Sequence, residues 1–429
     1  MAHRQCFKAV VRSIVDEMGP EVASQITWLV CEDFRQVSAV IPKGSVAHII
    51  RVSLRKSPLM WSRFTRMKLK TNMRVNTRED VGQAEEASLL DAIGIWLLGI
   101  GDGVIRSAVV LDAEESSRGA SAQRFDLETD MRKALRLASG LARRRSPRPG
   151  STAAEECTTK IRIPRAMCLP KRIRMQKLLN SVFPDMSTVK PTDAAALDAM
   201  GERMILTALN KDVRDLNELA IDEVPGEART YYSIDTVTNE DMELVEVYKI
   251  ELLNTVDHSA MPTHAMVFKV GMTVMLLRNL AAQNGDCNGT RYIVTRLGDN
   301  VIELRQIGTN RRILIPKLDV STSDCGLPIK LKRRQIPIRV AFAATMNKAQ
   351  GATLKRHGLW LPQPGDLGHG QVYVEASPVG DPQEIIVGAP VANNDEAGFV
   401  VTDNVVFTQL LNDDAVYPCC VRAGRIIFS

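Results

Sequence analysis

The sequence predicts an α/β protein carrying an inserted β block, and three observations lead there. The apolar runs that open ITWLVCEDFRQV and MILTALNKDVRDLNELAI each give way to charge, as buried parallel strands do at their polar ends. Short β-rich runs separated by NGDCNG, GDN and GTN turns then give a small antiparallel barrel pattern. The α/β style resumes in RRQIPIRVAFAATMNKAQGATL, which places the β block inside an α/β domain.

In chain order, Gln5 to Met18 set Phe7, Val10, Val11, Ile14 and Met18 at roughly helical spacing, with Gly19-Pro20 as the stop. ITWLVCEDFRQV reads as a buried strand whose C-terminal edge, Asp33 to Gln36, is where open α/β sheets place ligands. Glu85 to Leu98 predicts another helix, closed by Gly99, Gly101 and Gly103. The stretch from Arg106 to Glu156 is rich in Ser, Ala and Arg and runs into RRRSPRPGST. It reads as a flexible insertion with one helix around Leu127 to Leu141, because a structureless stretch of that length suits an insertion better than an integral element. MILTALNKDVRDLNELAI predicts strand, turn and helix. Thr273 to Leu277, Arg291 to Val294, Val301 to Leu304 and Arg312 to Ile315 are the expected barrel strands, and RRQIPIRVAFAATMNKAQGATL a long strand followed by loop and helix.

Composition sets broad bounds. The 429 residues suffice for two to four domains, and 45% hydrophobic content is ordinary for a globular protein. Lys plus Arg number 55 against 50 Asp plus Glu, so net charge alone makes a weak case for a polyanionic partner. Distribution matters more. Arg143 to Lys177 contains only Glu155 and Glu156 as acids, and Lys330, Lys332, Arg333, Arg334 and Arg339 form a second basic run. Each patch is either a phosphate-facing surface or a solvated linker or strand edge. The eight cysteines show no C-x-x-C spacing and no nearby histidine pattern, so no metal site is expected. No apolar stretch approaches a membrane span and the N-terminus lacks a signal-peptide core, which points to the nucleus, with cytosol or mitochondrion as other intracellular sites, and to no membrane partner.

Five segments recur in a telling order: EDFRQVSAVIPKGS; LKTNMRV; the block from YYSIDTVTNED through LLNTV and FKVGMTVMLLRNL to NGTRYIVTRLGDNVIE; AFAATMNKAQGATL; and HGQVYVEASPV. Together they resemble Pif-type DNA helicases, the superfamily-one (B) enzymes that move 5′ to 3′ along single-stranded DNA and are carried by Helitron transposons. The resemblance covers most of residues 1 to 411, interrupted by the insertion and fading after Asn412.

That resemblance implies RecA-like (P-loop NTPase-type) domains, the first incomplete and the second interrupted by a small SH3-like β-barrel insertion. The expected division is 1–105 for the remnant of the first RecA-like domain, 106–156 for a disordered basic insertion and 157–240 for the first part of the second domain. The barrel takes 241–335, the rest of the second domain 336–411, and a tail 412–429. By the same resemblance Gln36 senses the terminal phosphate of ATP, Asp33 is its neighbour in the loop, and Arg74 contacts phosphate, a task suited to arginine's planar fork of donors. Lys348, Gln350, Gly351 and Thr353 fall where nucleotide and DNA sites communicate. Arg278, Asn279 and Arg291 are candidate DNA-facing residues, or else plain strand-edge polar groups.

Three departures bear on activity. Glu32 stands where the family has glycine, Pro378 replaces an ATP-contacting arginine, and no G-x-x-x-x-G-K-[ST] occurs anywhere to hold phosphates. Asp16-Glu17 does not serve as a magnesium-binding pair, because Arg12 and Ser13 interrupt the strand such a pair needs. Met1-Ala2-His3-Arg4 instead matches the end of the family's D-E-A-P-M-A-H-R string, so a truncated gene copy or a decayed transposon is expected. ATP and Mg2+ are the family's cofactors, and the missing motifs argue against their binding by this chain alone. The sequence therefore supports an ATP-dependent helicase module with little or no ATPase of its own, a non-enzymatic single-stranded DNA binder, or a translated remnant. Aromatics at 5% give a stacking-based binder few platforms. An N-terminal part lacking some of its sheet would expose apolar edges and aggregate or lean on a protein partner. DNA repair, recombination, telomere maintenance and transposition are all compatible with this reading.

Overall fold

The computed structural model describes residues 3–31, 33–39, 41, 44–62, 64–65, 67, 94–102, 158–163, 167–169, 174–237, 249–257, 261–322, 331–349, 354–362, 367–377, 384–389 and 400–411. Glu32, Arg74, Gln350, Gly351, Thr353, Pro378, Lys330, the basic segment before residue 158, most of the Glu85–Leu98 stretch and the tail after 411 lie outside them.

Along the chain the elements are α1 (Arg4–Met18), α2 (Pro20–Ser24), α3 (Val46–Val52), α4 (Pro58–Trp61) and β1 (Thr158–Arg162). Next come α5 (Met175–Val182), α6 (Ala194–Gly201), β2 (Arg203–Thr207), α7 (Asn210–Glu223), β3 (Arg229–Tyr232), β4 (Ile234–Val237) and α8 (Ile250–Thr255). Strands β5 (Ala265–Phe268), β6 (Thr273–Leu276), β7 (Arg291–Leu297), β8 (Val301–Gln306) and β9 (Arg312–Pro316) follow. They lead to β10 (Leu318–Thr322), β11 (Leu331–Gln335), β12 (Ile338–Val340), β13 (Ala343–Thr345) and α9 (Met346–Ala349). The last described elements are β14 (Arg356–Trp360), α10 (Gln371–Ala376), β15 (Ile385–Gly388), β16 (Val401–Val405) and α11 (Thr408–Leu411).

Two compact units result: Met1–Lys171 with Pro362–Gln383 and Ala389–Ser429, and Arg172–Leu361 with Glu384–Gly388. They do not follow the six expected segments, since β1, α10, β16 and α11 group with the N-terminal elements.

In the second unit a parallel sheet runs in the order β13-β2-β14-β15. β2 is buried from Met204 to Thr207 because helices cover it: α7 presents Val213, Leu216, Asn217 and Ala220 to the core, and α5 packs on β2, β14 and β15. The packing of α5 is close. A β-carbon at Gly358 would fall 2.7 Å from Val182 Cγ2, so only glycine lets the helix approach this strand. Asn217 ties helix to sheet: its amide donates to Ala343 O at 3.0 Å, and its carbonyl accepts from the Phe342 and Ala343 N–H groups.

The place expected for the barrel holds antiparallel sheets of order β12-β6-β7-β8-β9, β10-β11-β4 and β3-β5. Their strands begin at Arg229 and end at Val340. All four strand runs read from the sequence are present. The long strand expected across RRQIPIRVAFAAT is instead three short ones, β11, β12 and β13, which join different sheets. Pro337, which lacks an N–H, sits at the first break.

The first unit also corrects an expectation. α1 forms as read, its first turn capped by the His3 side chain, which accepts the Gln5 N–H, and its end set by Gly19 at φ 79. The run 26–30 does not form a buried strand; Leu29 is 77% exposed. A parallel strand needs paired neighbours, and among the described residues this unit's strands are only β1 and β16, antiparallel to each other. Trp28 packs edge-on against Phe7 instead, with ring centroids 5.5 Å apart. Residues 94–101 are helical, so the helix expected to close at Gly99 runs on to Gly101.

Candidate functional site

The turn Asp33-Phe34-Arg35-Gln36 closes on itself: the Gln36 N–H donates to Asp33 O at 3.1 Å and the Arg35 N–H to Asp33 Oδ1 at 3.1 Å. Asp at a turn start does this readily, since its side chain mimics a backbone acceptor. The Gln36 amide stands 3.5 Å from Asp33 Oδ2, which also accepts the Tyr373 hydroxyl at 3.0 Å. Arg35 grips Asp102 through Nε at 2.8 Å and a second nitrogen at 3.2 Å, so its guanidinium is already engaged.

HGQVYVEA seats this turn. The Phe407 N–H donates to His369 Nδ1 at 3.0 Å, so in the neutral ring Nε2 carries the proton and donates it to Phe34 O at 3.0 Å. Burial pushes the His369 pKa below its ordinary value, and stacking on Phe407 at 4.8 Å holds the ring flat. Gly370 comes against the turn's backbone at φ 71. Burial, then the Asp33 charge, raise the Tyr373 hydroxyl well above its usual pKa, so it stays a donor at neutral pH. Two segments some 340 residues apart, both noted in the sequence, are thus hydrogen-bonded within one unit. The roles of His369, Gly370 and Tyr373 were not read from the sequence. The signal was there in HGQVY, but nothing local says which segment it meets.

A second group lies in the other unit. Lys348 Nζ on α9 donates to Asn288 Oδ1 at 3.4 Å, and the Asn288 N–H donates to Asn279 Oδ1 at 2.8 Å. The structure therefore joins two sequence candidates, Lys348 and Asn279, through a residue not singled out. Arg278 is exposed and donates to Asp319 O at 2.8 Å.

Arg291 does not face outward as expected. Its guanidinium is buried and donates to Arg203 O at 2.7 Å and Ala341 O at 3.2 Å, and burial pulls its pKa down to about 10. It braces β7 against the Arg203 and Ala341 backbone. The second basic run is corrected in the same way. Arg333 is fully buried against Asp235 and Lys332 pairs with Asp319 at 2.9 Å. Alternation along β11 turns every second side chain inward, so a run of like charges is split between core and surface.

Among the described residues no group of His, Cys, Asp and Glu could hold a metal ion, and no helix is long and apolar enough to cross a membrane.

A parallel sheet covered by helices, with an antiparallel insertion, makes this an α/β chain. Residues 1–110 match the family model for PIF1-like helicase, and residues 251–297 match that for the 2B domain of DNA helicase Pif1. Both matched segments are therefore similar to Pif1-type helicases. It is 29% identical over 148 residues to the ATP-dependent DNA helicase PIF1 of Danio rerio, covering 33% of this chain and 21% of that protein. With the ATP-dependent DNA helicase Pif1 of Bdellovibrio bacteriovorus it is 27% identical over 181 residues, 39% of each. The chain thus spans well under half the length of these relatives. Among solved structures, the Pif1 helicase from Candida albicans is similar at 19% identity and TM-score 0.33, over 51% of this chain and 55% of that one.

Proposed function

We propose that this chain is the part of an ATP-dependent DNA helicase that reads nucleotide state through Gln36 and meets single-stranded DNA through the face bearing Lys348, Asn279 and Arg278. The observation that carries the reading is the pair of hydrogen bonds from His369 and Tyr373 to the Asp33–Gln36 turn. They hold the Gln36 loop on the helix from the HGQVYVEASPV motif, an arrangement able to pass a small displacement of one to the other.

Two observations support weak or no binding of a nucleoside triphosphate by this chain alone. Arg35 is engaged by Asp102 and Asp33 carries negative charge beside Gln36, while the sequence has no Gly-rich phosphate loop. The chain alone is therefore a single-strand binder with little or no ATP turnover. Full helicase activity calls for a phosphate-holding partner or segment, and the nucleus is the place of action that fits.

The test is DNA-stimulated ATP hydrolysis by the 429-residue chain with magnesium, beside Gln36→Ala and with oligo-dT binding measured in parallel. Single-strand binding without turnover is the expected result. Turnover abolished by Gln36→Ala overturns the inactive half of the reading, and absence of oligo-dT binding overturns the rest.

A further inference from the structure

We propose that Asn284 is a site of spontaneous deamidation, at which the backbone nitrogen of Gly285 attacks the side-chain amide and water completes the conversion to aspartate or iso-aspartate. This stands apart from any reading of DNA or nucleotide binding.

The chain contains two Asn-Gly steps, Asn284-Gly285 and Asn288-Gly289, in one loop. At such a step no β-carbon on the second residue hinders the approach of its nitrogen to the amide carbon. Sequence alone makes the two equivalent, and the structure separates them.

Asn288 is held at both ends. Its N–H donates to Asn279 Oδ1 at 2.8 Å, and its own Oδ1 accepts from Lys348 at 3.4 Å. The nitrogen that would attack it, Gly289 N, donates to Leu276 O at 2.9 Å, and the Leu276 N–H donates to Thr290 O at 3.0 Å. These bonds adjoin the pairing of β6 with β7, so freeing Gly289 N means opening the end of that strand pair.

Asn284 has no such hold. It is exposed, and its hydrogen bonds among the described residues are all of the backbone: the N–H donates to Ala281 O at 2.9 Å and the carbonyl accepts from Arg311 at 3.1 Å. Gly285 N donates to Ala282 O at 3.1 Å, closing a single 3₁₀ turn over Ala282–Asn284. Hydrogen bonds of such a turn have poor geometry, and its residues are all exposed, so it opens without disturbing the sheet.

In the reaction Gly285 N loses its proton and bonds to Asn284 Cγ, while the side-chain nitrogen leaves as ammonia. Water then adds to one of the two carbonyls of the resulting succinimide, and the bond from that carbonyl to the Gly285 nitrogen breaks. Opening at Cγ gives aspartate. Opening at the α-carbonyl gives iso-aspartate, whose main chain is longer by one methylene just before Asp286. Either product adds a negative charge to the loop, and iso-aspartate also displaces the Asn284 carbonyl that Arg311 holds together with Asp286.

The experiment ages the full chain in mildly alkaline buffer, folded and in guanidinium, and follows both steps by peptide mass spectrometry that distinguishes the iso-aspartyl linkage. Asn284 should convert roughly tenfold faster than Asn288 in the folded chain, the factor that about one additional hydrogen bond to be opened supplies. The two rates should converge in guanidinium. Equal rates in the folded chain, faster conversion of Asn288, or conversion of Asn284 only after unfolding overturns the proposal.

A second arm reads the loop itself. Amide exchange at residues 282–287 should accelerate in the aged wild type and stay unchanged in aged Asn284→Gln, whose longer side chain cannot close the five-membered ring. Equal acceleration in both chains overturns the assignment to Asn284.

Discussion

Gly370 meets the Arg35 carbonyl so closely that a β-carbon added there would fall 2.2 Å from that oxygen. The obstacle is backbone, which cannot swing aside, and the residue sits at φ 71, where L side chains are strained. Gly370→Ala should cost roughly 1–2 kcal/mol for the left-handed conformation. The forced displacement of the Asp33–Gln36 turn adds about 1–3 kcal/mol more. Amide exchange at residues 34–36 should accelerate sharply in the variant, and a wild-type exchange pattern would refute this account of the contact.

Arg333 and Asp235 make a fully buried pair, with Nε at 2.9 Å and a terminal nitrogen at 2.6 Å from the carboxylate, and further donations to Leu253, Val256 and Pro262 carbonyls. Removing one partner leaves a buried charge without its counter-ion, so Arg333→Met should destabilise by about 3–5 kcal/mol. Asp235→Leu added to it should recover a large part of that loss, because the pair's desolvation cost disappears with the pair. Denaturant midpoints of the two variants decide the point; equal loss in single and double variants would show that the carbonyl contacts, and not the ion pair, dominate.

These two contacts also show what a sequence reveals. Local pattern made α1, β2 with α7, and the strands β6 to β9 legible, because their apolar spacing and turn residues act over a few positions. What depends on distant partners was not legible. The run 26–30 has strand-like apolarity but no strand beside it among the described residues, and Arg291 and Arg333 read as surface charge until their carbonyl and carboxylate partners are seen. Of the candidate site, Asp33, Gln36, Lys348 and Asn279 were found by motif, while the groups that fix them, His369, Tyr373 and Asn288, come from elsewhere in the chain.

His369 gives a pH prediction. Its imidazole must be neutral for Nδ1 to accept the Phe407 N–H, and burial depresses its pKa in the folded chain below the usual 6.5. Between the folded value and 6.5 the unfolded chain binds more protons, so stability from this group is fully present above about pH 6.5 and declines as pH falls towards the folded pKa. Trp61 packs 5.5 Å from Phe34, the residue whose carbonyl His369 holds, so its fluorescence should report the loosening. The transition should vanish in His369→Phe; an unchanged acid transition in that variant would assign it to another group.

Asp286 gives a prediction of opposite chemistry and the same sign. The Arg311 hydrogen bonds hold its carboxylate below the usual 3.8 against the pull of burial, with the Tyr292 hydroxyl assisting. A depressed carboxylate stabilises the fold above its unfolded pKa, and that contribution is lost as pH falls through the folded value. Asp286→Ala leaves the buried Tyr292 hydroxyl without its acceptor and frees Arg311, at a cost of about 1–3 kcal/mol for the orphaned donor alone. Because the Asp286 N–H also donates to Ala281 O at 3.1 Å, a backbone bond that the substitution keeps, the backbone of the 281–290 loop should stay in place while its side-chain anchor goes. The expected signature is lower thermal stability together with weaker oligo-dT binding, since Asn288 rides on this loop. Lower stability with unchanged binding would show that the loop anchor has no part in oligo-dT binding.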